Sequence, residues 1–245
     1  MSGPQCCENP PAISSADVSG EVLQIASLNS YVSGKPDSKT AVLLVSDVFG
    51  YGAPKLRQLA DKVASAGYYV VVPDFFHGDP LTPETKIEDW LKNHAPEPAV
   101  ELAKPVLQAL KEKGVTKIGA AGFCWGAKVV VELAKDAEIQ FAAILHPSFV
   151  SLDDIKGVKV PIAILGAEID QRSPPELIKE FEAALVANEV IFLANVKCTF
   201  CLLSETSHLP VHVFFVFLSI TFLNNQNLIF DSKKCLRGEA VGKMP

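Results

Sequence analysis

The side chain best suited to chemistry is Cys124, at the centre of Gly122-Phe123-Cys124-Trp125-Gly126. A short apolar run of small residues, Lys117-Ile118-Gly119-Ala120-Ala121, precedes it and reads as a buried strand. Ala127 to Lys135 follows it, with apolar residues recurring at helical spacing. A nucleophile at the tip of a strand-turn-helix is a nucleophile elbow, here with Cys where Ser is commoner. The flanking glycines have a steric reason: the turn is strained, and neighbouring backbone passes too close for a β-carbon. A thiol with an ordinary pKa of about 8.5 is mostly protonated at neutral pH and needs activation. The helix starting near Trp125 offers a positive dipole end and unpaired backbone N–H groups. A partner His would supply the rest, by pairing with the thiol or deprotonating it. The same residues also admit two plainer readings, a Gly-rich turn and a buried structural cysteine.

The elements that must position this thiol alternate along the chain. Glu21 to Val32 reads as a weak strand or hairpin, after a Pro- and Ser-rich start. Ala41 to Ser46 is an unbroken apolar run, the pattern of a parallel strand buried on both faces. Asp47 to Gly52 is a turn, and Ala53 to Ala66 a helix closed by Gly67. Tyr68 to Val72 is the next strand, followed by a long loop from Asp74 to Lys86 that carries His77. Helices are expected at Ile87 to Asn93 and Glu97 to Lys113, with strands at Phe141 to Leu145 and Pro161 to Leu165. Ser173 then caps a helix that opens on Pro174-Pro175 and runs to about Val186. Strands alternating with helices imply an α/β fold, a mostly parallel sheet with helices on both faces.

Composition narrows the setting. A chain of 245 residues fits one domain with a large core. A formal charge of −6 and a pI near 5.4 argue against nucleic acid or an anionic membrane surface as partner. Met1 to Pro11 has neither the basic nor the apolar region of a secretory signal. Six cysteines without framework spacing point to reduced thiols and a cytoplasmic setting. Cys198-Thr199-Phe200-Cys201 has the CxxC form but no second Cys pair and no His at zinc spacing, so no metal is expected there.

From about residue 188 the character changes. Residues 190 to 230 hold half of the fourteen phenylalanines and only two charged residues, Lys197 and Glu205. Leu209 to Leu223 is strongly apolar, but fifteen residues containing Pro210 and His212 fall short of the ~20 that span a bilayer. The expected organisation is a loose segment at 1–20, an α/β core at 21–187 and a divergent apolar tail at 188–245.

Four stretches together resemble the dienelactone hydrolase family, in its plant-type branch. They are Val45 to Gly50, Val72 to Gly78, Gly119 to Gly126 and Gly166 to Asp170. The resemblance implies an α/β-hydrolase fold, with the part beyond 188 incomplete or aberrant. It also implies a Cys-His-Asp triad, no metal or other cofactor, and hydrolysis of ester or lactone bonds. The partner would be a small-molecule ester or lactone, and the chain a monomer or homodimer.

Cys124 is then the nucleophile. Two N–H donors should hold the oxyanion, one from Trp125 and one from the turn after the first parallel strand, at Val48. Asp47, Phe49 and His77 are expected to line the substrate site, with Asp47 standing where the family often carries Glu. Asp170, just after the strand ending at Leu165, is expected to orient the base. Chain order requires that base to follow Asp170, which leaves His208 and, less suitably placed in an apolar run, His212. The family's His-Gly step and closing helix are absent, so a catalytically impaired relative is the competing reading. On the same reasoning His77, His94 and His146 fall in the wrong part of the sheet order. A glucan endohydrolase, a name some plant relatives carry, is a further alternative; it would need two carboxylates flanking a sugar cleft.

Overall fold

A computed structural model of the chain describes residues 18–195. The first two strands, β1 (Glu21–Ile25) and β2 (Leu28–Ser33), form an antiparallel hairpin, and β2 runs antiparallel to β4 (Tyr69–Pro73). The remaining pairs are parallel: β3 (Thr40–Val45) with β4 and with β5 (Lys117–Phe123), then β6 (Phe141–Leu145), β7 (Ile162–Leu165) and β8 (Phe192–Asn195). The sheet order is β1-β2-β4-β3-β5-β6-β7-β8. The mostly parallel sheet expected from the alternating pattern is therefore present. It also runs past residue 187, because β8 pairs with β7 from Ile162↔Phe192 to Leu165↔Asn195. Residues 1–17 and 196–245, with most of the divergent tail, His208 and His212, lie outside the described residues.

Every residue of β4, β6 and β7 is buried, as the continuous apolar runs require of strands covered on both faces. One face carries Leu43, Val45, Val71, Ala120, Ile144 and Ile164 in a cluster with α3 (Pro96–Glu112), α4 (Trp125–Lys135) and α6 (Pro175–Ala187). The alternate residues Val42, Leu44, Val70, Val72, Ala121 and Phe123 pack on the other face with Leu56, Ala60 and Val63 of α1 (Pro54–Ser65). The expected helix at Ile87 to Asn93 shortens to α2 (Ile87–Trp90), whose Trp90 is buried.

One short helix has no counterpart in the sequence reading. Helix α5 (Leu152–Lys156) is started by a capping box: Ser151 Oγ accepts from the Asp154 N–H, and the Ser151 N–H donates to Asp154 Oδ2. Asp154 also receives Lys128 Nζ at 2.8 Å and Lys135 Nζ at 3.2 Å, tying α5 to α4. Lys128 is only 8% exposed, and a second bridge to Glu132 at 2.7 Å completes its pairing. Burial works against charge on Asp154, but Lys128, Ser151 and Lys135 outweigh it and hold the carboxyl well below its usual range. A carboxyl depressed on folding adds stability above its unfolded pKa of about 3.9 and loses it as the pH falls toward the folded value. Thermal midpoints followed from pH 6 to pH 2 should therefore drop below about pH 4, with a shallower acid limb in Asp154→Asn. Identical acid limbs would show that this carboxylate does not couple folding to pH.

Candidate active site

The carboxyl ends of four neighbouring strands build the site. The chain leaves β3 toward β4 on one side and reaches β5 on the other, so the crevice between β3 and β5 is the topological switch point. Cys124 stands at the end of β5 and is the residue immediately before α4. Its backbone sits at φ 49°, ψ −106°, a conformation rare for a residue with a β-carbon. The glycines explain how the chain turns so sharply. A β-carbon on Gly122 would lie 2.3 Å from the Gly126 carbonyl oxygen, and one on Gly126 would lie 2.4 Å from that of Val45. The strand, the helix start and β3 are pressed together at backbone distance.

The next strand in space holds the turn from its other side. The Cys124 N–H donates to the Leu145 carbonyl at 3.0 Å, and the Cys124 carbonyl accepts from the Ser148 N–H at 3.0 Å. Ser148 is buried, and its Oγ lies 3.3 Å from Cys124 Sγ. Between these anchors is His146, at φ 38°, whose N–H donates to the Leu165 carbonyl of β7 at 2.7 Å. Its ring hydrogen-bonds the Cys124 thiol. Burial disfavours the charged imidazole, but the Cys124 thiol and the Asp47 and Asp170 carboxylates outweigh it, so its pKa stands above the ordinary 6.5. Chain order argues against His146 as a base, yet the structure sets it against the thiol. The reason is that β5 and β6 are hydrogen-bonded neighbours, with Phe123 opposite Leu145, so residues 124 and 146 emerge side by side.

Asp47 follows β3 on the opposite side of Cys124. Its Oδ1 accepts from the Phe49 N–H at 2.9 Å, and its carbonyl from the Gly50 N–H at 3.2 Å, closing a tight turn. Burial raises this carboxyl above its ordinary value, against the Phe49 N–H and the facing His146, which lower it. Val48 is buried, and its carbonyl accepts from the Leu81 N–H at 2.9 Å, which anchors the turn to the following loop.

Asp170 lies beyond β7, half-buried. Its Oδ1 accepts from the N–H groups of Arg172 at 2.7 Å and Ser173 at 3.2 Å. The sequence suggested Ser173 as the cap of α6. Pro174 occupies the cap position instead, and the Ser173 hydroxyl donates to the Pro147 carbonyl at 2.7 Å. That bond fastens the Asp170 turn to the residue next to His146.

Trp125 opens α4, so its N–H is among the helix-start donors that have no intrahelical partner. Its indole is fixed: Nε1 donates to the His94 carbonyl at 2.7 Å, and Phe76 meets the ring edge-on with centroids 4.7 Å apart. Trp90 stacks on His94 at 4.3 Å and extends the aromatic cluster. A cavity of about 220 Å³ lies beside this cluster, lined among others by Phe75, Phe76, Trp125 and His77. His77 therefore borders open space next to the elbow, on its exposed loop. Phe49 is half-buried against the core.

The sequence profile of the dienelactone hydrolase family matches residues 28–198. The chain belongs to the dienelactone hydrolase family. A maize protein named endo-1,3;1,4-beta-D-glucanase is 46% identical over 183 residues, covering 72% of this chain and 60% of its own length. The chain thus spans less than two thirds of that relative. A carboxymethylenebutenolidase homologue from Xenopus tropicalis is 33% identical over 186 residues, covering 72% of this chain and 75% of its own. Esterase 2 from Thermogutta terrifontis superposes with a TM-score of 0.61 at 16% identity, over 84% of this chain and 94% of that one, a likeness of fold. Members of the dienelactone hydrolase family are hydrolases of ester and lactone bonds, and the elbow, the Asp47 turn and the Asp170 turn lie inside the matched range. No helix among the described residues is long and apolar enough to cross a membrane.

Proposed function

We propose that this chain hydrolyses a carboxylic ester, lactone or thioester of a small molecule through an acyl-enzyme on Cys124. The observation that carries this reading is the strained Cys124 backbone, held between Gly122 and Gly126 at the carboxyl end of β5. Sulfur attacks the carbonyl carbon, and the carbonyl oxygen takes up negative charge. The N–H groups of Trp125 and Val48 are the donors for that oxyanion, one from each side of the switch-point crevice. The acyl group passes to Cys124 as the leaving alkoxide takes a proton. Water then attacks the thioester and restores the thiol. Asp170 orients and charge-stabilises the base. Asp47, Phe49 and His77 border the substrate, within a cytoplasmic protein whose cysteines stay reduced.

The maize relative's name points instead to a glucan, and a glycosidase would set two carboxylates across a cleft. The Asp47 and Asp170 carboxylates are each turned to neighbouring backbone N–H groups, and Cys124 and His146 follow the ends of the two strands between them. Ester chemistry fits that arrangement better. A p-nitrophenyl ester of a short acid should give a burst of p-nitrophenol close to one equivalent per chain, followed by slower turnover. Release of reducing sugar from a mixed-linkage glucan without any burst would contradict the proposal.

A further inference from the structure

We propose that His146, at the end of β6, is the base that takes the Cys124 proton, so that the reacting triad is complete within residues 47–170. The proposal rests on the ester-hydrolase reading and names the residue that would serve it. Four strands adjacent in the sheet, β3, β5, β6 and β7, deliver Asp47, Cys124, His146 and Asp170 in that order along one edge. Neighbouring strands lie about 4.8 Å apart, which brings together Asp47, Cys124 and His146, each one or two residues past its strand, while Asp170 follows the end of β7 by five residues. His146 touches the thiol on one side and is faced by the Asp47 and Asp170 carboxylates, the charged groups that act on it. Its Nδ1 is enclosed and has no hydrogen-bond partner among the described residues, where the ring's polar contact is with sulfur.

The backbone is committed to this placement. His146 adopts φ 38°, and Phe149, three residues on, adopts φ 64°. L side chains seldom take such values, and they persist only where surrounding structure enforces them. Here the enforcing contacts are the bonds from Leu145 and Ser148 to the two ends of Cys124, and from Pro147 to Ser173. All of them hold the imidazole beside the nucleophile.

The proton balance is closed. His146 accepts the S–H proton as sulfur bonds to the carbonyl carbon. It returns that proton to the departing oxygen when the C–O bond breaks. In the second half it takes a proton from water as the hydroxyl adds to the thioester, and returns it to sulfur as the C–S bond breaks, which restores the thiol. Substrate and water are the only co-reactants.

The test uses the full chain and site-resolved alkylation by iodoacetamide, read by peptide mass spectrometry as a function of pH. In the parent chain, Cys124 should alkylate with a midpoint below the ordinary thiol value of about 8.5. His146→Gln and His146→Asn, the latter chosen because Asn tolerates positive φ, should both return the midpoint toward that value. Both should slow ester hydrolysis about 10²-fold or more, the usual loss for a general base. His208→Ala should change neither readout. A midpoint unmoved by the His146 variants, or moved by His208→Ala, would overturn the proposal. A second readout avoids any folding defect of these variants: the His146 ring, titrated by NMR in Cys124→Ser, should show a lower pKa than in the parent chain. An unchanged ring titration would likewise overturn it. Alkylation does not depend on turnover, so the His146 proposal and the ester-hydrolase reading can fail separately. An active enzyme with an unshifted midpoint refutes the first, and a shifted midpoint without acylation refutes the second.

Discussion

Cys124→Ala should lower kcat/KM for a short ester at least about 10⁴-fold, because loss of the nucleophile removes the whole covalent route. The residue left behind is conformationally acceptable. Cys124 already carries a β-carbon at φ 49°, ψ −106°, and alanine keeps that carbon while removing only the sulfur. The variant should therefore fold, with a thermal midpoint near that of the parent, and the activity loss should be chemical. Residual hydrolysis would come from the oxyanion donors and substrate positioning, which alone give 10³–10⁴-fold over water in comparable sites. Retention of more than a tenth of the parent rate in a folded Cys124→Ala chain would remove Cys124 from the mechanism.

Gly126→Ala should cost about 3 kcal/mol or more of stability, at the upper end of overpacking effects. The added β-carbon would stand 2.4 Å from the Val45 carbonyl oxygen and 2.6 Å from that of Ser46. Both obstacles are backbone at the carboxyl end of β3, where Val45 is paired with Gly122 of β5, so neither can swing away as a side-chain tip would. Against a total of ~5–15 kcal/mol, that loss is large. For a domain of this size it corresponds to a fall of roughly 6–12 °C in thermal midpoint. Gly52→Ala is the control, since nothing among the described residues lies within 4 Å of the added carbon there. A Gly126→Ala midpoint within about 2 °C of the parent would show that the elbow is looser than its contacts imply.

The elbow could be read from the sequence because its constraint is local. Gly122, Cys124 and Gly126 need no distant partner to be recognised, and the flanking strand and helix follow from spacing alone. The buried parallel strands were legible for the same reason, as unbroken apolar runs. What escaped was adjacency set by sheet order. His146 is 22 residues from Cys124 along the chain, and only the β5–β6 pairing makes them neighbours. The order of triad members in the chain then pointed to His208 and away from it. Helix α5 was missed because five residues are too few to show periodicity, although Ser151 and Asp154 stood at capping-box spacing. Ser173 carried the residue type of a helix cap, but the Pro147 carbonyl competes for its hydroxyl, and only the fold brings that carbonyl near.

The most direct measurement is the mass of the full chain, quenched in acid within the burst phase of an activated short-chain ester, followed by peptide mapping. The mass should rise by one acyl group, located on the peptide that contains Cys124 and labile to neutral hydroxylamine as a thioester is. Turnover without any adduct on Cys124, or an adduct on another residue that forms and decays at the catalytic rate, would contradict it.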